Sequence, residues 1–258
     1  MRLVWILGLM VFALHAGAEP DEKRRYHIED GTELEMNIFI PGASVRSGIV
    51  LFFGGGWRVG SPRQFFPFCD VLKTRGIACF VPDYRVSSRQ GTDGVDALND
   101  ARAAVSWVAA HSEEFGIDED KIYVGGGSAG GHLAAALTMI PREGFEFEPA
   151  GMVLFNPAVN LTSGGPRLQA IFRNAADQYS PSEYVRASLS STWIVHGTAD
   201  KIVPHQSVVD FCDRMEAVGN ACELHSFENQ GHGFFNAGRP AHGDVLAALL
   251  NHLSGSER

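Results

Sequence analysis

Residues 121–133 read K-I-Y-V-G-G-G-S-A-G-G-H-L, and this stretch decides how the rest of the chain is interpreted. The apolar run at 122–124 predicts a buried strand, and the small residues after Ser128 open a helical pattern over 129–139. Residues 126–130 match the pattern G-x-S-x-G, in which a serine occupies a sharp turn between a strand and a helix. The glycines are needed because side chains two residues before or after the serine would collide with the strand or the helix. The pattern therefore predicts Ser128 as a nucleophile, the alternative being a glycine-rich turn that only caps a helix.

Length, composition and charge indicate one α/β domain without a nucleic-acid partner. The chain has 258 residues, of which 45% are hydrophobic, and this is enough for one sizeable core. Its formal net charge is −9 at pH 7. Nucleic acids and anionic membranes bind basic surfaces, and the composition predicts no such surface.

The first 18 residues predict a signal peptide. Arg2 supplies a positive charge, residues 3–14 form an apolar core, and Ala16-Gly17-Ala18 resembles a cleavage site. The apolar core is too short for a membrane-spanning helix, and charged residues follow it closely. We therefore expect a secreted or periplasmic protein whose residues 19–258 form the folded domain. A retained N-terminal anchor is the alternative, and no second apolar stretch is long enough to span a membrane.

The four cysteines form two pairs with the same spacing. Cys69 and Cys79 are ten residues apart, as are Cys212 and Cys222. Four cysteines allow three pairings, and the parallel spacing favours disulfides within each pair in an oxidising compartment. Buried free thiols are the alternative. No C-x-x-C or H-x-x-x-H cluster occurs, so we expect neither a metal site nor a cofactor.

Apolar runs alternate with helical patterns along the chain, which predicts a doubly wound, mostly parallel sheet with right-handed crossovers. The predicted strands are residues 26–30, 34–40, 48–53, 77–81, 122–124, 152–155, 192–196 and 222–227. The predicted helices are residues 65–75, 95–111, 129–139, 205–218 and 241–253. Region 160–191 is the least regular, with one helical piece near 168–177. It is too small to form a substantial lid.

An acid and a histidine follow Ser128 in the order that this kind of nucleophile requires. The histidine must take the serine's proton, and a carboxylate must hold that histidine in one tautomer. Asp200 follows the predicted strand 192–196, where its alternative role is to cap the next helix. His232 lies between glycines in the loop after the last predicted strand, and it alone of ten histidines occupies that loop. We therefore predict Ser128, Asp200 and His232 as the catalytic residues.

Backbone N–H groups are expected to form an oxyanion hole beside the nucleophile. The residue after the serine, Ala129, supplies one donor, and a glycine loop after an upstream strand supplies another. Gly54, Gly55 and Gly56 follow the predicted strand 48–53 and fit that second role. Trp57 follows them directly, and we predict it as a wall or platform for substrate, with a buried core position as the alternative.

Five segments together resemble one protein family. They are G-G-G-W-R-V-G-S (54–61), P-D-Y-R (82–85), G-G-S-A-G-G-H-L-A (126–134), H-G-T-A-D-K-I-V-P (196–204) and G-H-G-F (231–234). The chain resembles the α/β-hydrolases of the carboxylesterase and lipase-like superfamily, and most of all the lidless acetyl- and feruloyl-esterase-like branch. The resemblance implies an α/β-hydrolase fold and a serine esterase. Its substrate would be a small-molecule or carbohydrate ester with a short acyl group, acetyl foremost.

One position departs from the family pattern. Many relatives have a histidine before the three glycines, where this chain has Phe53, which cannot make the histidine's side-chain hydrogen bonds. We expect the oxyanion hole to persist with a different brace. Asp83-Tyr84-Arg85 and Asp100 are interpreted as structural, with an Arg85–Asp100 pair.

Two other functions stay open at this point. One is a peptidase like the catalytic domain of prolyl oligopeptidases, which shares the sharp serine turn of residues 126–130, called the elbow below, and the acid and histidine loops. Such enzymes usually carry a large additional domain, which this sequence lacks. The other is a catalytically inactive binding protein that kept the fold.

Overall fold

The structure is a computed structural model, and it describes residues 17–255. The predicted signal peptide, residues 1–18, lies outside the described residues except for Gly17 and Ala18. Within the described part, no helix combines the length and the apolar character that crossing a membrane requires.

One eight-stranded sheet with helices on both faces makes up residues 17–255. The strands are β1 (Glu22–Glu29), β2 (Thr32–Phe39), β3 (Ser47–Phe52), β4 (Ile77–Pro82), β5 (Ile122–Gly127), β6 (Met152–Phe155), β7 (Thr192–Gly197) and β8 (Cys222–Phe227). The helices are α1 (Phe66–Lys73), α2 (Ser87–Gln90), α3 (Gly94–Ala110), α4 (Ala129–Met139), α5 (Gly165–Ile171), α6 (His205–Ala217) and α7 (His242–Gly255). Short 3-10 turns lie between several of these elements.

The strand order is β1-β2-β4-β3-β5-β6-β7-β8. β1 and β2 form an antiparallel hairpin whose second strand pairs antiparallel with β4, and the strands from β3 to β8 run parallel. This confirms the predicted doubly wound, mostly parallel sheet. Parallel strands place their carboxyl ends at one edge, so the loops after β3, β5, β7 and β8 meet there.

Alternate residues of the central strands point to opposite faces of the sheet. In β3, Val50 and Phe52 join a buried cluster with α3 and α4, whereas Ile49 and Leu51 join a cluster with α1 and α7. Covering both faces explains why the central strands are continuous apolar runs rather than alternating ones. Each fully buried aliphatic or aromatic side chain contributes about 1.5–3 kcal/mol, so this double layer holds the strand ends in place.

Both cysteine pairs form the favoured disulfides. Cys69–Cys79 joins α1 to β4 with a Cα–Cα distance of 5.4 Å, and Cys212–Cys222 joins α6 to β8 at 5.3 Å. The first belongs to the cluster with α1 and α7, and the second to the cluster on the opposite face. The free-thiol alternative is therefore wrong, and each face of the sheet has one covalent link.

The strand before Ser128 is longer than the sequence predicted. It continues through its glycines to Gly127, which pairs with Phe155 of β6. A side chain on Gly125 would overlap the carbonyl oxygen of Val153, so glycine allows the neighbouring strand to approach closely here. Glycine is depleted in strands, so the apolar pattern alone predicts a strand that ends at residue 124 rather than at Gly127.

Region 160–191 holds α5 and 3-10 turns at Thr162–Gly164, Ala176–Tyr179 and Pro181–Tyr184. The helical piece predicted near 168–177 therefore begins earlier and is interrupted. As predicted, the described part of this region forms no substantial lid.

The predicted pair of Arg85 and Asp100 is also confirmed. Arg85 Nη2 donates to Asp100 Oδ1 at 2.8 Å, and the Arg85 backbone N–H donates to Oδ2 at 2.9 Å. The two side chains are 3% and 1% exposed. Burial raises the pKa of Asp100 although the guanidinium opposes the shift. The pair anchors the chain after β4 to α3.

Candidate active site

Ser128 lies in the turn between β5 and α4 with a strained backbone. Its φ is 53° and its ψ is −114°, a conformation that non-glycine residues rarely adopt. Side chains on Gly126 or Gly130 would both overlap the carbonyl oxygen of Phe52 in β3. The pattern G-x-S-x-G thus follows from close approach between the turn and the neighbouring strand.

The structure brings together the three predicted catalytic residues. Ser128 Oγ lies 2.9 Å from His232 Nε2, and His232 Nδ1 lies 2.7 Å from Asp200 Oδ2. The ionised carboxylate can only accept, so Nδ1 carries the proton and Nε2 accepts from the serine hydroxyl. This arrangement presents Ser128 to a base that is already in the tautomer needed to take its proton.

Asp200 is buried and fully engaged by hydrogen-bond donors. Its Oδ1 accepts from the backbone N–H groups of Ile202 at 2.8 Å and Val203 at 3.1 Å. Its Oδ2 faces His232 Nδ1 and, at 3.2 Å, His196 Nε2. Burial alone would raise the pKa of Asp200, but the hydrogen bonds from both histidines and the backbone outweigh it and lower the pKa well below its ordinary value. The carboxylate therefore stays ionised at neutral pH.

His196 is a further residue of this site, and the sequence does not predict it. It is fully buried, and its Nε2 lies 2.9 Å from the carbonyl oxygen of Val203 as well as near Asp200. Both neighbours are acceptors, so the proton of His196 is on Nε2. In the sequence, His196 lies four residues before Asp200 in H-G-T-A-D, and this spacing is the signal that could have predicted it. The mechanism needs only one histidine as the base, so the motif by itself draws attention to His232 alone.

The glycine loop lies against the elbow, but one of its predicted donors is already used. A side chain on Gly54 would lie 2.9 Å from the carbonyl oxygen of Gly127 and 3.3 Å from the Ser128 side chain. However, the Gly54 N–H donates to Gln64 Oε1 at 2.6 Å, so it does not point freely at a substrate. The prediction of Gly54 as an oxyanion donor is therefore wrong. Gly55, Gly56 and Ala129 are the remaining candidates.

Phe53 braces this loop by packing. Its ring stacks on Tyr84 with centroids 4.0 Å apart, and the Tyr84 hydroxyl donates to the Phe53 carbonyl oxygen at 2.7 Å. Burial raises the pKa of Tyr84 well above its ordinary value, so the phenol remains a donor. A side chain on Gly60 would meet the Phe53 ring at 2.5 Å, which closes the loop over that ring. The loop thus has the different brace that the phenylalanine led us to expect.

Trp57 is a buried core residue, and its predicted role as a substrate platform is wrong. It is 4% exposed, and its ring packs edge-on against His132 and Phe172, each with a centroid distance of 5.0 Å. His132 comes from α4 and Phe172 from region 160–191, so two distant segments enclose it. Burial lowers the pKa of His132 to about 4, and its Nε2 donates to the Tyr179 carbonyl oxygen, so this cluster is neutral.

The described residues contain no group of three or more histidine, cysteine, aspartate or glutamate side chains placed to hold a metal ion. The chemistry that the arrangement supports is nucleophilic attack by an activated serine hydroxyl.

Comparison with known proteins finds the same fold and named esterases. A family model described as an α/β-hydrolase fold matches residues 49–236. The probable carboxylic ester hydrolase LipM of Mycobacterium tuberculosis is 28% identical over 191 residues, which cover 64% of this chain and 44% of LipM. Esterase LipC of the same organism is 27% identical over 242 residues, which cover 79% of this chain and 58% of LipC. The chain thus spans about half the length of these two relatives.

A solved structure covers nearly the whole fold. The apo form of Thermogutta terrifontis esterase 2 superposes with a TM-score of 0.87 at 38% identity, covering 93% of this chain and 95% of that enzyme. Structures of that esterase with propionate and with butyrate bound superpose with TM-scores of 0.85 and 0.84 at 37% identity, each covering 93% of this chain and 94% of that one.

Proposed function

The chain belongs to the α/β-hydrolase family, and on that premise we propose that it hydrolyses carboxylic esters with Ser128 as the nucleophile. The observation that carries the proposal is the continuous hydrogen-bond path from Ser128 through His232 to Asp200, at 2.9 and 2.7 Å. Neither a structural turn nor a helix cap requires these three side chains, from three separate loops, to converge. The named activities of the relatives support the same reaction.

In the first half of the reaction, Ser128 Oγ forms a bond to the ester carbonyl carbon while its proton passes to His232 Nε2. The carbonyl oxygen becomes an oxyanion that the N–H of Ala129 and those of Gly55 and Gly56 stabilise. One such donor contributes about 3–4 kcal/mol to stabilising the transition state. The leaving alcohol takes the proton from His232 as the bond to the acyl carbon breaks. Asp200 keeps His232 oriented and stabilises its cationic form.

In the second half, water repeats the sequence on the acyl-enzyme. His232 Nε2 takes a proton from water, whose oxygen bonds to the acyl carbon, and the same donors hold the new oxyanion. The bond to Ser128 Oγ then breaks, the serine recovers a proton from His232, and a carboxylic acid leaves.

We propose that the preferred acyl group is short, acetyl foremost, and that the alcohol is a carbohydrate or a related alcohol, as in the acetyl- and feruloyl-esterase-like branch. The small size of region 160–191 supports a short acyl group, because a shallow site buries few methylenes at about 0.8 kcal/mol each. The propionate and butyrate complexes of Thermogutta terrifontis esterase 2 support the same range.

We also propose that the protein is exported after cleavage behind Ala18. The two disulfides support this location, because such bonds persist in oxidising compartments. Expression of the full sequence in a Gram-negative host, followed by fractionation and N-terminal sequencing, tests it. A cytoplasmic protein that still begins at Met1 would contradict export.

The test of the reaction is hydrolysis of p-nitrophenyl acetate by the wild type and by Ser128→Ala. We expect the variant to fold and to lose at least about 10⁴-fold in kcat, because no other group can form the acyl-enzyme. Ser88→Ala, at an exposed serine, is the matched control and should keep wild-type activity. A folded wild type without ester hydrolysis would support the inactive-scaffold alternative. Cleavage of a proline-containing peptide in its place would support the peptidase.

The acyl and alcohol preferences need a separate panel. p-Nitrophenyl esters of increasing chain length, acetylated xylan and feruloyl esters would be compared by kcat/KM. We expect the maximum at two to about four carbons. A maximum beyond about eight carbons would contradict the short-acyl proposal, since only a deep apolar pocket rewards the added methylenes.

A further inference from the structure

A pair of side-chain amides joins the glycine loop to the loop of the histidine. Gln64 Oε1 accepts from the Gly54 N–H at 2.6 Å, and Gln64 Nε2 donates to Asn236 Oδ1 at 2.8 Å. Asn236 Nδ2 in turn donates to the carbonyl oxygen of Gly233 at 2.8 Å. Gly54 begins the oxyanion loop, and Gly233 is the residue after His232. The two amides thus span the site from one loop to the other.

The direction of every hydrogen bond in this path is determined. Because the Gly54 N–H can only donate, Gln64 must turn its oxygen to it and its NH₂ group to Asn236. Asn236 must therefore accept with Oδ1, which leaves its NH₂ group for the Gly233 carbonyl. Neither amide can rotate by 180° without placing two donors or two acceptors face to face. The path holds the two loops in one arrangement.

Aromatic packing also joins the same two segments. Phe65 and Phe235, the neighbours of Gln64 and Asn236, lie nearly parallel with centroids 6.1 Å apart. Both reach the elbow strand, since a side chain on Gly127 would lie 2.6 Å from Phe235 Cζ and 3.5 Å from Phe65 Cζ. The amide pair and the aromatic pair therefore form one joint between the oxyanion loop, the elbow and the histidine loop.

We propose that Gln64 and Asn236 are positioning residues that set the distance between the oxyanion donors and His232. The proposal rests on the proposed esterase function. It gives these amides the task of a loop brace in a chain whose Phe53 cannot hydrogen-bond with its side chain. Misplacement of reacting groups by about 1 Å can cost about 100-fold in rate, so a joint that keeps both loops in register directly affects turnover.

The test is a double-mutant cycle with Gln64→Ala, Asn236→Ala and the double variant, measured on p-nitrophenyl acetate. We expect each single variant to lose about 10- to 100-fold in kcat with KM within about 2-fold, because ground-state binding does not depend on the joint. The kcat of the double variant should lie within about 3-fold of the kcat of the less active single variant, since either change breaks the same path. Thermal unfolding, followed in parallel, should shift by only a few degrees.

Isosteric variants keep the test independent of lost volume. Gln64→Glu still accepts from Gly54 but cannot donate to Asn236, and we expect it to lose kcat as Gln64→Ala does. Asn220→Asp is the matched control, because Asn220 Oδ1 accepts from the Leu189 N–H at 3.0 Å and its Nδ2 donates to the Arg186 carbonyl oxygen at 2.7 Å, beside the start of β8 rather than its carboxyl end. It should keep wild-type kcat.

Three results would overturn the positioning role: wild-type kcat in the folded variants, multiplicative losses in the double variant, or losses that scale with the drop in melting temperature. A wild type that hydrolyses no ester would instead remove the proposed function, and the positioning role with it.

Discussion

The two sides of the candidate site are held in different ways. On the nucleophile side, backbone contacts hold the turn, with the Ser128 N–H donating to the Phe155 carbonyl oxygen at 2.8 Å and the glycines of the turn lying against Phe52. On the other side, side-chain hydrogen bonds from Gln64 and Asn236 position the loops around Gly54 and His232. The nucleophile side requires glycines, because side chains there would collide with the neighbouring strand. The other side requires the particular side chains of Gln64 and Asn236, because they form its hydrogen bonds.

This difference determines which substitutions each side of the site tolerates. A close backbone approach has no room for a methyl group, so one added atom disrupts it. A hydrogen-bonded loop can relax when a partner is lost, so its failures should lower the rate and leave the protein folded. Substitutions on the two sides should therefore fail in these two different ways.

Gly130→Ala should have the largest effect. Its new methyl group would overlap the backbone of Phe52 and Phe53, and neither the strand nor α4 can move away without unpacking the core. We expect either no folded protein or a loss of at least about 3 kcal/mol in the free energy of unfolding, with no measurable esterase activity. Chemical denaturation and the p-nitrophenyl acetate assay measure the two quantities.

Gly243→Ala is the control for this experiment. Gly243 is exposed in α7, and a side chain there would meet no atom within 4 Å. The free energy of unfolding of Gly243→Ala should rise by about 0.5–1 kcal/mol with wild-type activity, because alanine favours the helix. Wild-type activity in Gly130→Ala would show that the elbow tolerates a side chain, and the contrast between the two sides would then fail.

Asp200→Asn should leave the fold in place and lower kcat by about 10³- to 10⁴-fold. An amide can donate to His232 Nδ1, which moves the histidine's proton to Nε2 and removes the base that faces Ser128. Asp210→Asn, at an exposed carboxylate on α6, is the control and should keep wild-type kcat. A loss below about 10-fold would mean that His232 is oriented without the carboxylate.

The same residue makes acid stability a test of the site's electrostatics. The pKa of Asp200 is lowered in the folded state, so its carboxylate stabilises the fold fully above its unfolded pKa of about 4. That contribution decreases as pH falls below about 4, toward the folded pKa. The difference in free energy of unfolding between the wild type and Asp200→Asn should narrow as pH falls below about 4. Denaturation curves at fixed ionic strength measure it, and a difference that widens as pH falls below about 4 would contradict the assignment.

The contrast between the two sides also explains what the sequence could predict. The elbow, its helix Ala129–Met139 and the order Ser128, Asp200, His232 follow from local patterns and from the rule that parallel strands end at one edge. These features need only neighbouring residues and the order of elements. The same holds for the two disulfides, whose equal spacing gave the pairing.

The errors concern residues whose environment comes from elsewhere in the chain. Gly54 is predicted as a donor because the sequence does not show that its N–H is bound to Gln64. Trp57 is predicted as a wall or platform for substrate because the residues that bury it, His132 and Phe172, come from segments far along the chain. The bond between Gln64 and Asn236 spans 172 residues, and no periodicity or motif relates the two positions.

Removal of the disulfides should have the smallest effect on turnover. Each bond closes one helix-to-strand connection, with one bond on each face of the sheet, and neither includes a residue of the candidate site. A loop of about ten residues contributes about 2–3 kcal/mol, mainly by restricting the unfolded chain. We expect Cys69→Ala/Cys79→Ala and Cys212→Ala/Cys222→Ala each to lose about that much free energy of unfolding.

Their kcat should remain within about 2-fold of the wild type, because a restraint on the unfolded chain leaves the geometry of the folded site unchanged. This separates the disulfides from Gln64 and Asn236, for which we expect the reverse, a large loss of kcat with little loss of stability. The two sets of variants, measured side by side in the same assays, therefore distinguish groups that hold the fold from groups that hold the site. A tenfold fall in kcat in either disulfide variant would place that bond among the groups that position the loops. The separation between groups that hold the fold and groups that hold the site would then be wrong for that bond.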